Sequence, residues 1–264
     1  VIMLSDAQFI RYQRQLALPE IGENGQQSLL DSRVLVIGCG GLGSAAVLYL
    51  ASAGIGQLVI VDDDRVESSN LPRQVIYRER QIGQTKVDAM AEQIKAINPD
   101  CRVRAISKRL IGTQLELEVL NADVVLDCTD NIHSRQQINQ LCRKLIKPLI
   151  SGSAIGWKGQ VIAFDQLPLS PCYHCLVPDS ELPAAQRCNE FGILGPVVGI
   201  IGTLQALQAI MILTRQTMRN ANQLTLFDAH LFQFQTLNVV KDPQCEVCGY
   251  PQADQIKGEA TCQI

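Results

Sequence analysis

Three observations in this 264-residue sequence predict an α/β fold. The expected fold is Rossmann-like in its N-terminal part and runs on into a mixed sheet with antiparallel C-terminal strands and a structural zinc clip. The first observation is residues 34–43, VLVIGCGGLG, where an apolar run stops at a glycine cluster and an Ala-rich apolar stretch (44–53) follows. That pattern is a buried strand, a tight turn and a helix start. The second is the alternation of short apolar runs with amphipathic stretches as far as about residue 150, as βα units require. The third is a change after that point to strands and loops that carry two Cys-x-x-Cys pairs.

The length suffices for one large domain or two small ones with a sizeable core. The expected organisation is one domain over 1–264: an N-terminal helical arm over about 1–32, a nucleotide-binding half over 33–150, a second half with the zinc site over 151–249, and a flexible tail over 250–264. Apolar residues make up 47% of the chain, as in a folded globular protein, and the net charge of −3 gives no case for nucleic acid or an anionic membrane. No apolar run follows a basic start, so no signal peptide is expected and a cytoplasmic location is. The longest apolar stretch, 193–213, contains Gln205, Gln208 and three glycines and reads as a buried helix rather than a membrane span. Ten cysteines without an export signal favour metal in a reducing compartment over a disulfide scaffold.

Residues 5–31 read as helical and amphipathic, broken at Gly22, Asn24 and Gly25. Arg11 and Arg14 lie three apart on one face of this arm. They are either a solvated face or a means of carrying an arginine to a phosphate. Gly38, Gly40, Gly41 and Gly43 then let the chain turn sharply and let backbone amides approach a phosphate at a helix N-terminus. On that unit alone the expected ligand is a dinucleotide. The next strand, 57–61, ends in Asp62-Asp63-Asp64. Asp62, 19 residues after Gly43, stands where such a fold places a ribose-binding carboxylate; the alternative is a polar strand end facing water.

The segments SNLPRQ (69–74) and GQTK (83–86) add Arg73 and Lys86. A pyrophosphate held mostly by backbone amides does not need them, whereas a triphosphate with a departing pyrophosphate does. Lys86 also opens a helix over 86–97, where a lone lysine is ordinarily solvated. A strand over 101–107, a short helix over 113–120 and a buried strand over 122–126 are expected next. The strand leads into Asp127-Cys128-Thr129-Asp130-Asn131, and acids at a strand's C-terminal end sit where open α/β sheets bind ligands. Asp130 suits a phosphate-bound Mg2+; alternatively it caps the helix over 132–145.

A strand over 147–150, a Gly-rich turn over 151–156 and an antiparallel strand over 159–165 come next. GPVVG at 195–199 opens the long apolar helix, and a terminal hairpin is expected over 224–227 and 232–239. Cys172-x-x-Cys175 and Cys245-x-x-Cys248 each place two thiolates near one tetrahedral ion, and four sulfurs match a closed structural Zn2+ site. Such a site clips the C-terminal end back onto the middle of the chain across about 70 residues. Two separate redox pairs are the alternative, although neither pair opens a clear helix after a strand. His174, inside the first knuckle, is not needed as a ligand. Cys188 follows Arg187 in a polar loop over 178–189. It is either a nucleophile of lowered pKa or a free thiol without a role.

Together RYxRQ at 11–15, GxGGLG at 38–43, DDD at 62–64, SNLPRQ, GQTK, DCTDN at 127–131 and the double CxxC resemble the ThiF/MoeB/HesA family, bacterial relatives of ubiquitin-activating enzymes. The likeness runs from about residue 5 to 249. The stretches ADVVLDCTDN, CYHCLVPD and GPVVGIIGTLQALQAI look most like the branch that acts on ThiS, the sulfur carrier of thiamine thiazole synthesis. The resemblance implies an adenylyltransferase: ATP reacts with the C-terminal glycine carboxylate of a ubiquitin-like sulfur carrier to give an acyl-adenylate and pyrophosphate. The molybdopterin-synthase small subunit is the alternative carrier.

The resemblance also implies residue roles. Gly41, with Gly38, Gly40 and Gly43, lies against the nucleotide phosphates and Asp62 takes the ribose. Asn70, Arg73 and Lys86 hold phosphates, Asn131 stands beside the nucleotide and Asp130 holds Mg2+. Cys172, Cys175, Cys245 and Cys248 hold Zn2+. Arg14 reaches the active site of a partner subunit, which implies a homodimer. Cys188 matches a family cysteine that bonds to the carrier's C-terminal end, and the 151–249 half receives the carrier. A separate sulfur-donor protein is expected. One departure is Pro72, where the family usually has glutamine; proline removes a backbone donor and stiffens the loop before Arg73. An NAD(P)-dependent oxidoreductase accounts for 38–43 and Asp62 but leaves Arg14, Arg73, Lys86 and Asp130 idle. A catalytically inactive scaffold built on the zinc clip is a third reading.

Overall fold

The computed structural model describes residues 4–178, 192–216 and 221–249. In chain order the elements are α1 (Asp6–Leu16), α2 (Gly22–Asp31), β1 (Arg33–Ile37), α3 (Gly41–Ala53), β2 (Gln57–Val61), α4 (Lys86–Ile97), β3 (Arg102–Ile106), α5 (Gly112–Leu120), β4 (Val124–Asp127), α6 (Ile132–Leu145), β5 (Leu149–Ile155), β6 (Lys158–Phe164), α7 (Tyr173–Leu176), α8 (Gly195–Leu213), β7 (Gln223–Asp228) and β8 (Gln233–Asn238). The eight strands make one sheet in the order β3-β2-β1-β4-β5-β6-β7-β8. The first five run parallel, and β6, β7 and β8 are antiparallel additions.

The strand sequences account for this arrangement. β1, β2 and β4 are Val/Leu/Ile-rich and buried along nearly their whole length, as parallel strands covered on both faces must be. β1 lies between β2 and β4, with Val34 level with both Leu58 and Val124. The strand order therefore reverses beside β1, and the crevice at its C-terminal end is where such sheets take ligands. At the other side, β5 and β6 join through the two-residue loop Gly156-Trp157, with Ile155 opposite Lys158. Gly156 has φ +57°, which a tight hairpin of this kind needs.

Three expected boundaries move. The break in the N-terminal arm falls at 17–21, where Pro19 cannot continue a helix; Gly22, Asn24 and Gly25 lie inside α2. The helix after the glycine turn begins at Gly41 rather than Ser44, so two of the four glycines sit in its first turn. The segment 151–156 is not a turn: β5 continues to Ile155. Its small residues serve packing, because a Cβ on Gly152 would come within 2.5 Å of the Gln205 amide carbon.

Helix α8 explains that glycine. It packs against α3, β5 and β6, as the reading of 193–213 as a buried helix requires, and it is the one described helix long and apolar enough to cross a membrane by length and composition. Gly202 admits the Leu42 carbonyl and Gly159 admits Ile201, so helix and sheet approach closely. Gln205 is fully buried. Its Nε2 donates to the carbonyls of Asp127 (2.9 Å) and Ile150 (3.2 Å), and its Oε1 accepts from the Cys128 thiol at 3.5 Å. A buried amide of this kind is expected to matter more than its two or three bonds suggest, since its loss strands its partners. Gln205→Leu is expected to destabilise the protein by about 2–4 kcal/mol in urea denaturation with the slope unchanged. A loss below the resolution of the experiment would show that those carbonyls find other partners.

Candidate functional site

The glycine turn closes the C-terminal end of β1, and its neighbours hold it on several sides. Gly38 has φ +97°, and a Cβ there would lie 2.6 Å from the Cys128 carbonyl oxygen. A Cβ on Gly43 would collide with the Gly38 carbonyl, and one on Gly41 would come within 2.9 Å of Val198 on α8 and 3.3 Å of the Arg73 carbonyl. Gly40 differs: the nearest atom to a Cβ there is Gln74 Nε2, at 3.9 Å. Gly40 therefore faces the open side of the turn, while the bare Cα of Gly41 accommodates α8 and the 72–74 loop. The Cys39 amide donates to Asp62 Oδ2 at 2.7 Å, and the Tyr77 hydroxyl donates to the Cys39 carbonyl at 2.7 Å.

Asp62 braces this turn. Its second oxygen accepts from the Asp64 amide at 2.8 Å. Burial raises the Asp62 carboxyl above its ordinary range, while Lys86 and the two amides pull it back. Lys86 Nζ donates to Asp64 Oδ2 at 2.7 Å; the lysine side chain is buried and that of Asp64 is mostly exposed. Asp62, Asp63 and Asp64 bring carboxylate oxygens within 4.8 Å of one another.

The SNLPRQ loop lies against the N-terminus of α8, where a Cβ on Gly195 would sit 2.5 Å from the Pro72 carbonyl. Asn70 is buried and its Oδ1 accepts from the Glu67 amide at 3.1 Å. Pro72 has no N–H for the Ser69 carbonyl, and Arg73 Nη1 donates to that carbonyl instead, at 2.8 Å. The departure at Pro72 thus leaves Arg73 in place, and Arg73 has no carboxylate partner among the described residues. Gln74 is buried with its Nε2 nearest Gly40, and its Oε1 has no hydrogen-bond partner among the described residues.

On the far side of β1, the helix cap is Asn131. Its Oδ1 accepts from the Ser134 amide at 2.8 Å and from Arg109 at 3.3 Å. Asp130 does not cap α6; it is exposed and its side chain carries no hydrogen bond or ion pair among the described residues. Thr129, just before it, donates from its amide (3.0 Å) and hydroxyl (2.7 Å) to Asp127 Oδ1. Asp127 is paired in turn with the buried Arg135 at 3.6 Å.

Arg14 is not part of this cluster. Helix α1 is anchored at the opposite end of α3 and α4: Arg11 donates to the Ile97 carbonyl, Gln15 to the Ala53 carbonyl, and Tyr12 accepts from Asn98 at 2.9 Å. The 13 residues of α3 separate the two ends by roughly 20 Å. Arg14 is exposed and has no bonded partner in its own chain among the described residues.

The two CxxC pairs meet. The four sulfurs lie within 4.8 Å of one another, with Cys172–Cys245 at 3.8 Å and Cys175–Cys248 at 3.3 Å. Four thiolates around one Zn2+ stand about 3.8 Å apart, so the donor set and its spacing fit that ion. His174 Nδ1 lies 3.5 Å from Cys245 Sγ and Asn139 Nδ2 donates to Cys172 Sγ at 3.5 Å, as outer partners of ligating sulfurs do. The remaining described cysteines, 39, 101, 128 and 142, are buried, and burial pushes their thiols up, Cys101 to about 11. None is an activated nucleophile. Cys188, most of its loop and the tail over 250–264 lie outside the described residues.

A family model described as the ThiF family matches residues 12–247. The chain belongs to the ThiF family. The ThiS adenylyltransferase of Escherichia coli is 45% identical over 96% of this chain and 100% of its own length. The molybdopterin-synthase adenylyltransferase of Salmonella typhimurium is 41% identical over 93% and 98%. Crystal structures of E. coli MccB, with MccA-N7isoASN and with ATP, match with TM-scores of 0.79 and 0.75. They are 22% and 21% identical, over 91% and 90% of this chain and 75% and 73% of theirs, and share its fold.

Asp127, Arg135, Tyr77 and Gln205 support the site without having been singled out by the sequence. Asp127 stood in a motif read for Asp130, and Arg135 is recognisable only as a charge on the buried side of α6. The contrast within the turn is measurable. Gly43→Ala is expected to cost about 3 kcal/mol or more, because backbone must move, and Gly40→Ala less than about 1 kcal/mol. Equal losses in chemical denaturation would contradict the packing described.

Proposed function

We propose that the chain is an ATP-dependent adenylyltransferase that activates the C-terminal glycine carboxylate of the sulfur carrier ThiS. The observation that carries the reaction is Asp130, a carboxylate unpartnered among the described residues, in the loop whose Cys128–Thr129 backbone packs against Gly38 of the turn that Arg73 and Lys86 flank. The choice of ThiS is supported by the likeness of 45% over nearly the whole chain to a ThiS adenylyltransferase. The turn suits a nucleotide: Gly40 leaves room at its mouth, and the unpaired Oε1 of Gln74, whose Nε2 lies nearest Gly40, awaits a donor.

In this reading, amides of the 38–43 turn receive phosphate oxygens at the N-terminus of α3. Asp62, each of whose oxygens accepts one backbone bond, keeps lone pairs for the ribose hydroxyls. Arg73, Lys86 and Asn70 hold the phosphates, with Lys86 exchanging Asp64 for a phosphate oxygen. Asn131 keeps the Asp130 loop in register. A Mg2+ held by Asp130 would neutralise phosphate charge. The carrier carboxylate is ionised at neutral pH and attacks the α-phosphorus as pyrophosphate leaves, so no general base is needed. The enzyme's contribution is positioning and charge neutralisation.

The remaining assignments extend this reading. The four clustered cysteines bind structural Zn2+ and fasten the C-terminal segment to the middle of the chain. Arg14 acts in the site of a second copy, which its distance from its own glycine turn supports, so the working unit is a homodimer. The 33–150 half takes the nucleotide and the 151–249 half takes the carrier, within one domain. Cys188 accepts the carrier's C-terminal end, and a separate protein donates sulfur.

Pyrophosphate exchange into ATP is expected only when ThiS is present. Exchange with the molybdopterin-synthase carrier and not with ThiS would move the assignment to that branch. Asp130→Ala is expected to abolish exchange while changing stability by no more than about 0.5 kcal/mol, since the side chain is exposed and unpartnered; an unfolded variant would count against its role as a ligand. Arg14→Ala and Arg73→Ala, each inactive alone, are expected to regain about a quarter of wild-type activity when mixed as subunits, because one of two sites in each heterodimer is intact. No regain would place Arg14 outside the partner's site.

A further inference from the structure

Asp130 stands between two residues that are firmly held. Thr129 has its amide and hydroxyl bound to Asp127 and its carbonyl bound to Arg135, and Asn131 is fixed as the cap of α6. Arg135 is buried and donates also to Ser151 Oγ (3.0 Å) and the Gly152 carbonyl (2.8 Å). The direction of Asp130 therefore depends on where α6 holds Arg135.

Beyond Arg135, α6 also meets the cysteine cluster, where Tyr173 lies buried between Cys172 and Cys175. One turn further along α6, Asn139 Oδ1 accepts from the Tyr173 amide at 2.9 Å, and its Nδ2 donates to Cys172 Sγ at 3.5 Å. Gln136 donates to the Val177 carbonyl at 2.6 Å, just past the knuckle. The buried face of α6 is thus bound to the knuckle at 136 and 139 and to the Asp130 loop at 135.

We propose that Asn139 and Gln136 are positioning residues of the nucleotide site, which tie the cysteine cluster through α6 and its Arg135 to the loop that aims Asp130. The consequence for magnesium rests on the reading of Asp130 given above; the mechanical tie does not. The cluster then does more than fasten the C-terminal segment, because loosening the knuckle releases α6 and the loop at its N-terminus.

The test uses the full-length, zinc-loaded chain. Gln136→Leu removes the donor to the Val177 carbonyl, and Asn139→Ser shortens the bridge to Cys172. Both variants are expected to keep zinc at the wild-type stoichiometry and the wild-type circular dichroism spectrum. Amides 128–131 are expected to exchange with solvent about fivefold faster, the worth of one buried hydrogen bond. The Mg2+ concentration for half-maximal binding of a non-hydrolysable ATP analogue is expected to rise by about the same factor. A role confined to folding or zinc retention would move neither quantity in a folded, zinc-loaded variant. Unchanged exchange at 128–131 in such a variant overturns the proposal; should Gln136→Leu not fold, Asn139→Ser decides. Faster exchange supports the tie, and if wild-type nucleotide binding is then independent of Mg2+, it is the reading of Asp130 that fails.

Discussion

The glycine-turn end of this molecule depends on one buried ion pair. Asp127 and Arg135 are both withdrawn from water, and isolated charges there would cost several kcal/mol each. They are satisfied only because Ser151, Gly152 and Thr129 arrive at the same point. That requirement joins the end of β4, the middle of β5 and the first turn of α6. Gln205 closes the arrangement from the other face by taking the carbonyls of Asp127 and Ile150. The crevice beside β1 thus has a wall that cannot shift without stranding a charge.

The glycine turn is the second wall, and it is held by shape. Cys128 backbone, Val198 and the Arg73 carbonyl occupy the spaces where side chains on Gly38 and Gly41 would stand. Asp62 and Tyr77 fix the Cys39 peptide from either side. Against this rigid background the groups suited to a ligand are those left with capacity among the described residues: the open side of Gly40, the unpaired Gln74 Oε1, Arg73 without a carboxylate and Asp130 without a partner. A scaffold saturated with internal bonds, around groups that are not, is what electrostatic preorganisation requires.

Much of this was legible in the chain. The parallel strands announced themselves as apolar runs, the glycine spacing marked the turn, and CxxC spacing brought together four sulfurs separated by about 70 residues. Boundaries were less legible where a small residue serves packing instead of turning. Gly152 reads as a turn former, yet it lies in β5 because Gln205 needs its space. Asp130 could be read from the sequence as the cap of α6, since aspartate caps helices; Arg109 and the Ser134 amide meet instead at Asn131, the next residue. The bonds of Asn139 to the Cys172 knuckle were invisible in the sequence, because they exist only once α6 is docked. The remoteness of Arg14 from its own turn likewise follows from tertiary placement of α1 and from no local pattern.

The central claim is that this glycine turn, which in isolation resembles a dinucleotide cradle, is built for a magnesium-bound triphosphate. Its neighbours support that reading, since a nicotinamide cofactor would leave Arg73, Lys86 and Asp130 idle. Equilibrium binding of ATP and of NADH, each with and without Mg2+, tests it most directly. The account predicts saturable, Mg2+-dependent binding of ATP that NADH does not displace. Tight binding of NADH that is unaffected by ATP and Mg2+ would contradict it.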